Sequence, residues 1–259
     1  MLWVIPGLAL GILPALAGAD GDKPIKAVIL AGQSNIVGKA NAKDLPKEFQ
    51  DPPENVLLFQ NGSWGPLKPG EQFGPEISLG FALAKAWPQE TFGLVKVAFG
   101  GTSMRDWDPS PEAAEKKSKK SGLYAKLIKE CTQAGSVKRL EWTAFAWGQG
   151  LGDTKIAGLA EHRAESLEEL VAAIRRDLKK PDLPFIMSQM HASVGANEAG
   201  DLVRKGNEEA VKKVPHLVLI PTEGLTFLSD KIHYDATGQI EYGQRYARAI
   251  LECVKPASK

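Results

Sequence analysis

Ser34, Asp230 and His233 are the residues of this 259-residue chain whose types and spacing could do chemistry. Ser34 lies in "AVILAGQSNIVGKA", where an apolar run breaks off at Gly32-Gln33-Ser34-Asn35, and Asp230 precedes His233 by three positions in "SDKIHYDATG". A hydroxyl, an imidazole to take its proton and a carboxylate to orient that imidazole are three of the four parts of an acyl-transfer site. The fourth is a set of donors for the developing oxyanion. Candidates are the backbone N–H of Ser34, that of Gly100 or Gly101 in "AFGGTSMRDW", and the side-chain amide of Gln149 in "AWGQGLGD". An Asp three residues before a His can reach the imidazole edge when both lie on one turn, leaving Nε2 to accept a proton. Taken singly, each fragment has a plainer reading. Serine after glycine belongs in turns, Asp-x-x-His can cap a helix, and a buried amide needs partners anywhere. What matters is whether the fold brings them together.

The elements that must do so are legible. "KAVILAG", "NVLLF", "GLVKVAFG", "EWTAFAWGQ", "LPFIMSQM" and "HLVLIPT" read as strands, several apolar on both faces as parallel strands between helix layers must be. Helix patterns alternate with them: "PEISLGFALAKAW", "LAEHRAESLEELVAAIRRDLKK", "EAGDLVRKGNEEAVKKV" and "DATGQIEYGQRYARAILECV". In the second, Leu167, Leu170, Val171 and Ile174 share one helical face. Such alternation predicts an α/β fold, a three-layer α/β/α sandwich around a central parallel, doubly wound sheet. Ligands bind beyond the carboxyl ends of strands in such sheets. Ser34, Gly100-Gly101 and Gln149 all follow predicted strands, so they are expected on one edge.

On these pieces the chain resembles the SGNH hydrolases, in the sialate O-acetylesterase and acetyl xylan esterase-like branch of carbohydrate esterases. The matching blocks are "GQSN" (32–35), "FGPE" (73–76), "GGTS" (100–103) with Trp107 behind it, "WGQGLGD" (147–153) and "DKIH" (230–233), in the family's order. The resemblance implies Ser34 as nucleophile, His233 as base, Asp230 as its orienting acid, and Ser34, Gly101 and Gln149 as oxyanion donors. The implied reaction removes short acyl groups, acetyl above all, from carbohydrate through an acyl-enzyme, with no metal or organic cofactor. One block departs: the family's W-H-Q-G-E-x-D has Gly148 for its histidine and Leu151 for its glutamate. In some members that glutamate supports the histidine, so here Asp230 would act alone. The alternative reading is a catalytically impaired relative that binds carbohydrate without efficient turnover.

Around this centre, Gln33, Asn35, Arg105 and Trp107 are the candidate substrate-binding residues, with the Arg105–Trp107 stretch as a sugar-facing rim. Lys plus Arg number 32 against 31 acids, a balance that creates no field for nucleic acid or an anionic membrane. Residues 1–19 read as an export signal ending in A-x-A patterns, without a basic residue near Met1, and 20–259 as one esterase domain. A secreted or periplasmic protein without stable membrane insertion is the expectation. Cys131 and Cys253 form no zinc-ligand spacing.

Overall fold

The computed structural model describes residues 23–110 and 121–254; the expected export signal lies outside them. Nine strands and six α-helices follow in chain order among the described residues: β1 (Ile25–Gly32), α1 (Ser34–Val37), β2 (Ala40–Asn41), β3 (Val56–Gln60), β4 (Ser63–Pro66), β5 (Gln72–Phe73), α2 (Glu76–Ala86), β6 (Phe92–Ala98), α3 (Leu123–Val137), β7 (Leu140–Gly148), α4 (Arg163–Asp177), β8 (Phe185–Ser188), α5 (Glu198–Lys213), β9 (Leu217–Ile220) and α6 (Ala236–Cys253).

Seven strands form one sheet in the order β4-β3-β6-β1-β7-β8-β9. All pairings are parallel except β3–β4, an antiparallel hairpin at one edge. Strand β1 is central and its side chains divide by period two. Val28 and Leu30 join the core under α2 and α6, whereas Ile29 and Ala31 join the core under α3 and α4. This is the three-layer sandwich that the alternating pattern predicts. The four α4 residues expected on one face, Leu167, Leu170, Val171 and Ile174, are all fully buried. Each such burial is worth about 1.5–3 kcal/mol, enough to dock α4 firmly against the sheet.

The end of β1 is drawn tightly against the end of β7. Gln33 N–H donates to Gly148 O at 2.8 Å. Gly32 has φ +140°, and a side chain there would collide with the Gly148 backbone. The chain therefore leaves the sheet abruptly and enters α1 at Ser34. Cys131 is buried, Cys253 is exposed, and both are free thiols. No described helix is long and apolar enough to cross a membrane.

Candidate active site

Ser34 opens α1 directly beyond the carboxyl end of the central strand, between the loops that follow β6 and β7. Lys96 of β6 donates to Val37 O at 2.8 Å and pairs with Glu76 at 2.6 Å. Glu76, buried at the start of α2, also accepts the Gly74 N–H at 3.0 Å. A largely buried ion pair thus braces the far end of the one-turn helix that carries Ser34.

His233 and Asp230 form the other half. Asp230 Oδ2 lies 2.6 Å from His233 Nδ1, while Oδ1 accepts the backbone N–H groups of Ile232 and His233, both at 2.9 Å. The backbone N–H of His233, the side-chain bond to its ring and the N–H of Ile232 pull the Asp230 carboxyl down to about 2. An ionised carboxylate on Nδ1 fixes the tautomer that leaves Nε2 to receive a proton.

The two halves are joined by Asn35. Its Nδ2 donates to Ile232 O at 3.1 Å, its Oδ1 accepts the Tyr234 N–H at 3.1 Å, and its backbone oxygen accepts from Gln239 Nε2 at 3.2 Å. The residue after the serine therefore grips the backbone on both sides of His233. Among the described residues, no hydrogen bond runs from Ser34 Oγ to the imidazole itself.

A cavity of about 530 Å³ opens beside Ser34, and Gln33, Gly101, Arg105, Leu151 and Lys155 are among the residues lining it. Arg105 and Lys155 are exposed. Gln33 and Asn35 also face a narrow crevice that continues toward His191 and Tyr234. A larger hollow, about 650 Å³, lies at the opposite end of the strands among Lys23, Asn55 and Arg139, far from these groups in the fold.

One expectation needs correction, and a second acquires a condition. Trp107 is fully buried; its ring packs edge-on against Trp147 with centroids 5.0 Å apart, and its N–H donates to Thr102 Oγ1 at 3.1 Å. It supports the loop from below and presents no face to a sugar. Gln149 is buried too, and its Nε2 donates to Thr102 O and to Asp153 Oδ1, each at 3.1 Å. Both amide hydrogens are engaged, so donation to an oxyanion would break one of these bonds.

Sequence reasoning passed over Arg163. This side chain is completely buried at the start of α4, bonded to Asp153, Gln149 and Asn207. The signal was present: positions 163, 167, 170, 171 and 174 share one helical stripe, so a charge falls on the apolar face.

Known proteins share this architecture. Residues 24–252 match the family model described as carbohydrate esterase, sialic acid-specific acetylesterase. A relative from Arabidopsis thaliana, probable carbohydrate esterase At4g34215, is 26% identical over 257 residues, covering 88% of this chain and 91% of its own. The X-ray structure of that plant protein superposes with a TM-score of 0.76 at 23% identity, over 89% of this chain and 99% of the other. NanS superposes at 0.71 with 14% identity, covering 88% and 97%. XAC1771, a carbohydrate acetylesterase from Xanthomonas citri, superposes at 0.66 with 16% identity, covering 86% and 55%. These likenesses extend to the whole fold.

Proposed function

The chain belongs to the sialic acid-specific acetylesterase family of carbohydrate esterases, and from that premise we propose that it hydrolyses acetyl esters of a carbohydrate through an acyl-enzyme on Ser34. His233 Nε2 takes the Ser34 proton as Oγ attacks the ester carbonyl. Asp230 steadies the imidazolium through Nδ1–H. The oxyanion is received by the backbone N–H groups of Ser34 and Gly101. His233 then returns its proton to the departing sugar oxygen, and a water activated by the same imidazole releases acetate from Ser34. Catalytic hydrogen bonds are often long in a free enzyme and tighten around substrate, so the serine–imidazole bond belongs to the loaded state.

The observation that carries this reading is the Asp230–His233 pair at 2.6 Å, held against the Ser34 turn by Asn35. Arg105 and Lys155 on the cavity wall suit a sugar bearing a carboxylate, as the family's description suggests. The apolar segment at residues 1–19 supports export of the enzyme.

The test is hydrolysis of p-nitrophenyl acetate and of acetylated acidic and neutral sugars by the wild type, Ser34→Ala and His233→Ala. Loss of turnover in both variants, with an acetyl adduct on Ser34 seen by mass spectrometry, is the expected result. Equal rates in all three would leave a carbohydrate-binding relative, the reading that Leu151 in place of the family's glutamate favours.

A further inference from the structure

Beneath the loop that follows β6 lies a polar network outside the triad. Asp153 and Arg163 are both completely buried. The Arg163 guanidinium donates from Nη1 to Asp153 Oδ2 at 2.7 Å and to Gln149 Oε1, from Nη2 to Gln149 O at 2.8 Å, and from Nε to Asn207 Oδ1 at 2.8 Å. Arginine has donors only. It therefore dictates which end of the Gln149 amide faces it, and turns the NH₂ group toward Thr102 O and Asp153 Oδ1. Asp153 Oδ1 also accepts the Met104 N–H at 2.7 Å. Burial pushes the Asp153 carboxyl above its ordinary value, while the Arg163 charge and the Met104 and Gln149 donors pull against that.

The loop carrying Gly101 is thus held at Thr102 O and Met104 N, immediately past the proposed oxyanion donor. Its other neighbour is Gly152, where an added Cβ would overlap Thr102 O and meet Ser103 N at 3.0 Å. The loop rests on backbone at that point, with no room for it to sink.

We infer that Arg163 and Asp153 act together as positioning residues for the oxyanion loop, with the Gln149 amide clamped between them and bracing Thr102. The inference rests on the esterase reading above. Its physical content is preorganisation: donors for an oxyanion help only if they are already aimed when charge develops. A guanidinium that cannot reorient, locked to a carboxylate that holds the loop N–H, supplies that rigidity from a layer that substrate does not reach.

The test removes both buried charges together, because deleting one would strand the other. Asp153→Leu/Arg163→Met is compared with wild type on p-nitrophenyl acetate, with a thermal melt to confirm folding. The expected result is a fall in kcat of about 10- to 100-fold, part of the loss seen when an oxyanion donor is deleted outright, with KM changed by no more than about twofold. Affinity for an alkylboronic acid, which becomes tetrahedral on Ser34, should fall by the same factor as kcat. A folded double variant with wild-type kcat overturns the inference. If the double variant does not fold, Asn207→Ala, which removes the outermost contact to Arg163 and with it a bond to Gln189 Oε1, is the second test, with Gln189→Ala as the control that leaves Arg163 bonded. Asn207→Ala should lower kcat about threefold at unchanged KM relative to that control, and wild-type kcat there overturns the inference equally. Absence of Ser34-dependent hydrolysis in the wild type would instead overturn the esterase reading itself, before any variant is compared.

Discussion

Asn35 holds His233 in place from both sides along the backbone, donating to the carbonyl before it and accepting from the N–H after it, both at 3.1 Å. Because Asn35 directly follows Ser34, the separation of the proposed nucleophile from the proposed base is held in part by one side chain bridging segments 197 residues apart in sequence. Asn35→Ala should leave the fold intact and lower kcat about 10- to 100-fold, the scale of a misplacement near 1 Å at a reacting centre. Asn35→Asp keeps the oxygen for Tyr234 N–H and loses the donor to Ile232 O, so its kcat should fall between the two. Steady-state kinetics on p-nitrophenyl acetate measure this, and an alanine variant at wild-type kcat would show that His233 is placed by other contacts.

Asp230 gives a pH signature. The His233 backbone N–H, with the bond to its ring, lowers the carboxyl from 3.8 to about 2. A carboxyl depressed by folding stabilises the native state fully above its ordinary value and loses that contribution as pH falls through the folded one. The margin of wild type over Asp230→Asn should therefore be level above about pH 4 and close between about pH 4 and pH 2. Asp230 is well exposed, so solvent screens this margin and keeps it small. Turnover responds far more strongly: Asp230→Asn should reduce kcat by about 10³- to 10⁴-fold at neutral pH through loss of the tautomer that leaves Nε2 free. Melts across that pH range and a single kinetic comparison suffice. A margin that persists unchanged at pH 2 would place the stabilisation elsewhere.

The cavity wall predicts charge selectivity. Arg105 and Lys155 line it, and neither pairs with an acid among the described residues. Arg105→Ala should raise KM about tenfold for an acetylated sugar carrying a carboxylate and leave that for a neutral acetylated sugar nearly unchanged, with the difference shrinking in high salt. Equal effects on both sugars would assign Arg105 a packing role only.

The sheet was readable because each of its buried parallel strands is a short apolar run, and "KAVILAG" or "LPFIMSQM" has no other stable use in a chain of this composition. The hairpin partner β4, "SWGP", was not, since four residues with a glycine and a proline carry no periodicity and earn their strand only by pairing with β3. The Asp230–His233 contact followed from spacing, because three residues on one turn leave little freedom. Trp107 misled because residue type announces what a side chain can bond, and only packing shows what it does bond. Its indole was consumed inside the loop's own support. Arg163 was visible as a charge on an apolar stripe, but its partners, Asp153 and Gln149, come from another segment that the stripe does not reveal.

Gly148 stands where the family's block carries histidine, and the packing around it predicts a cost for restoring that histidine. A Cβ at 148 would overlap Tyr242 Oη and approach Ile36 Cγ1 to 2.8 Å. Tyr242 cannot yield easily, because its hydroxyl bonds Ser188 Oγ at 2.7 Å and Tyr246 Oη at 3.0 Å, and Tyr246 in turn donates to Trp147 O at 2.6 Å. A side chain at 148 would therefore start out against a buried hydroxyl chain. Gly148→His should destabilise the protein by about 1–3 kcal/mol, the range of an overpacked core, and lower kcat by shifting the ends of β1 and β7 that carry Ser34 and Gln149. Leu151→Glu is the contrasting case: Leu151 is half-exposed on the cavity wall with Lys155 and Arg105 also lining it, so a carboxylate there meets water and cations and the fold should be retained. A Gly148→His variant that melts with the wild type would mean that Tyr242 swings aside freely, and the packing account of this block would be wrong.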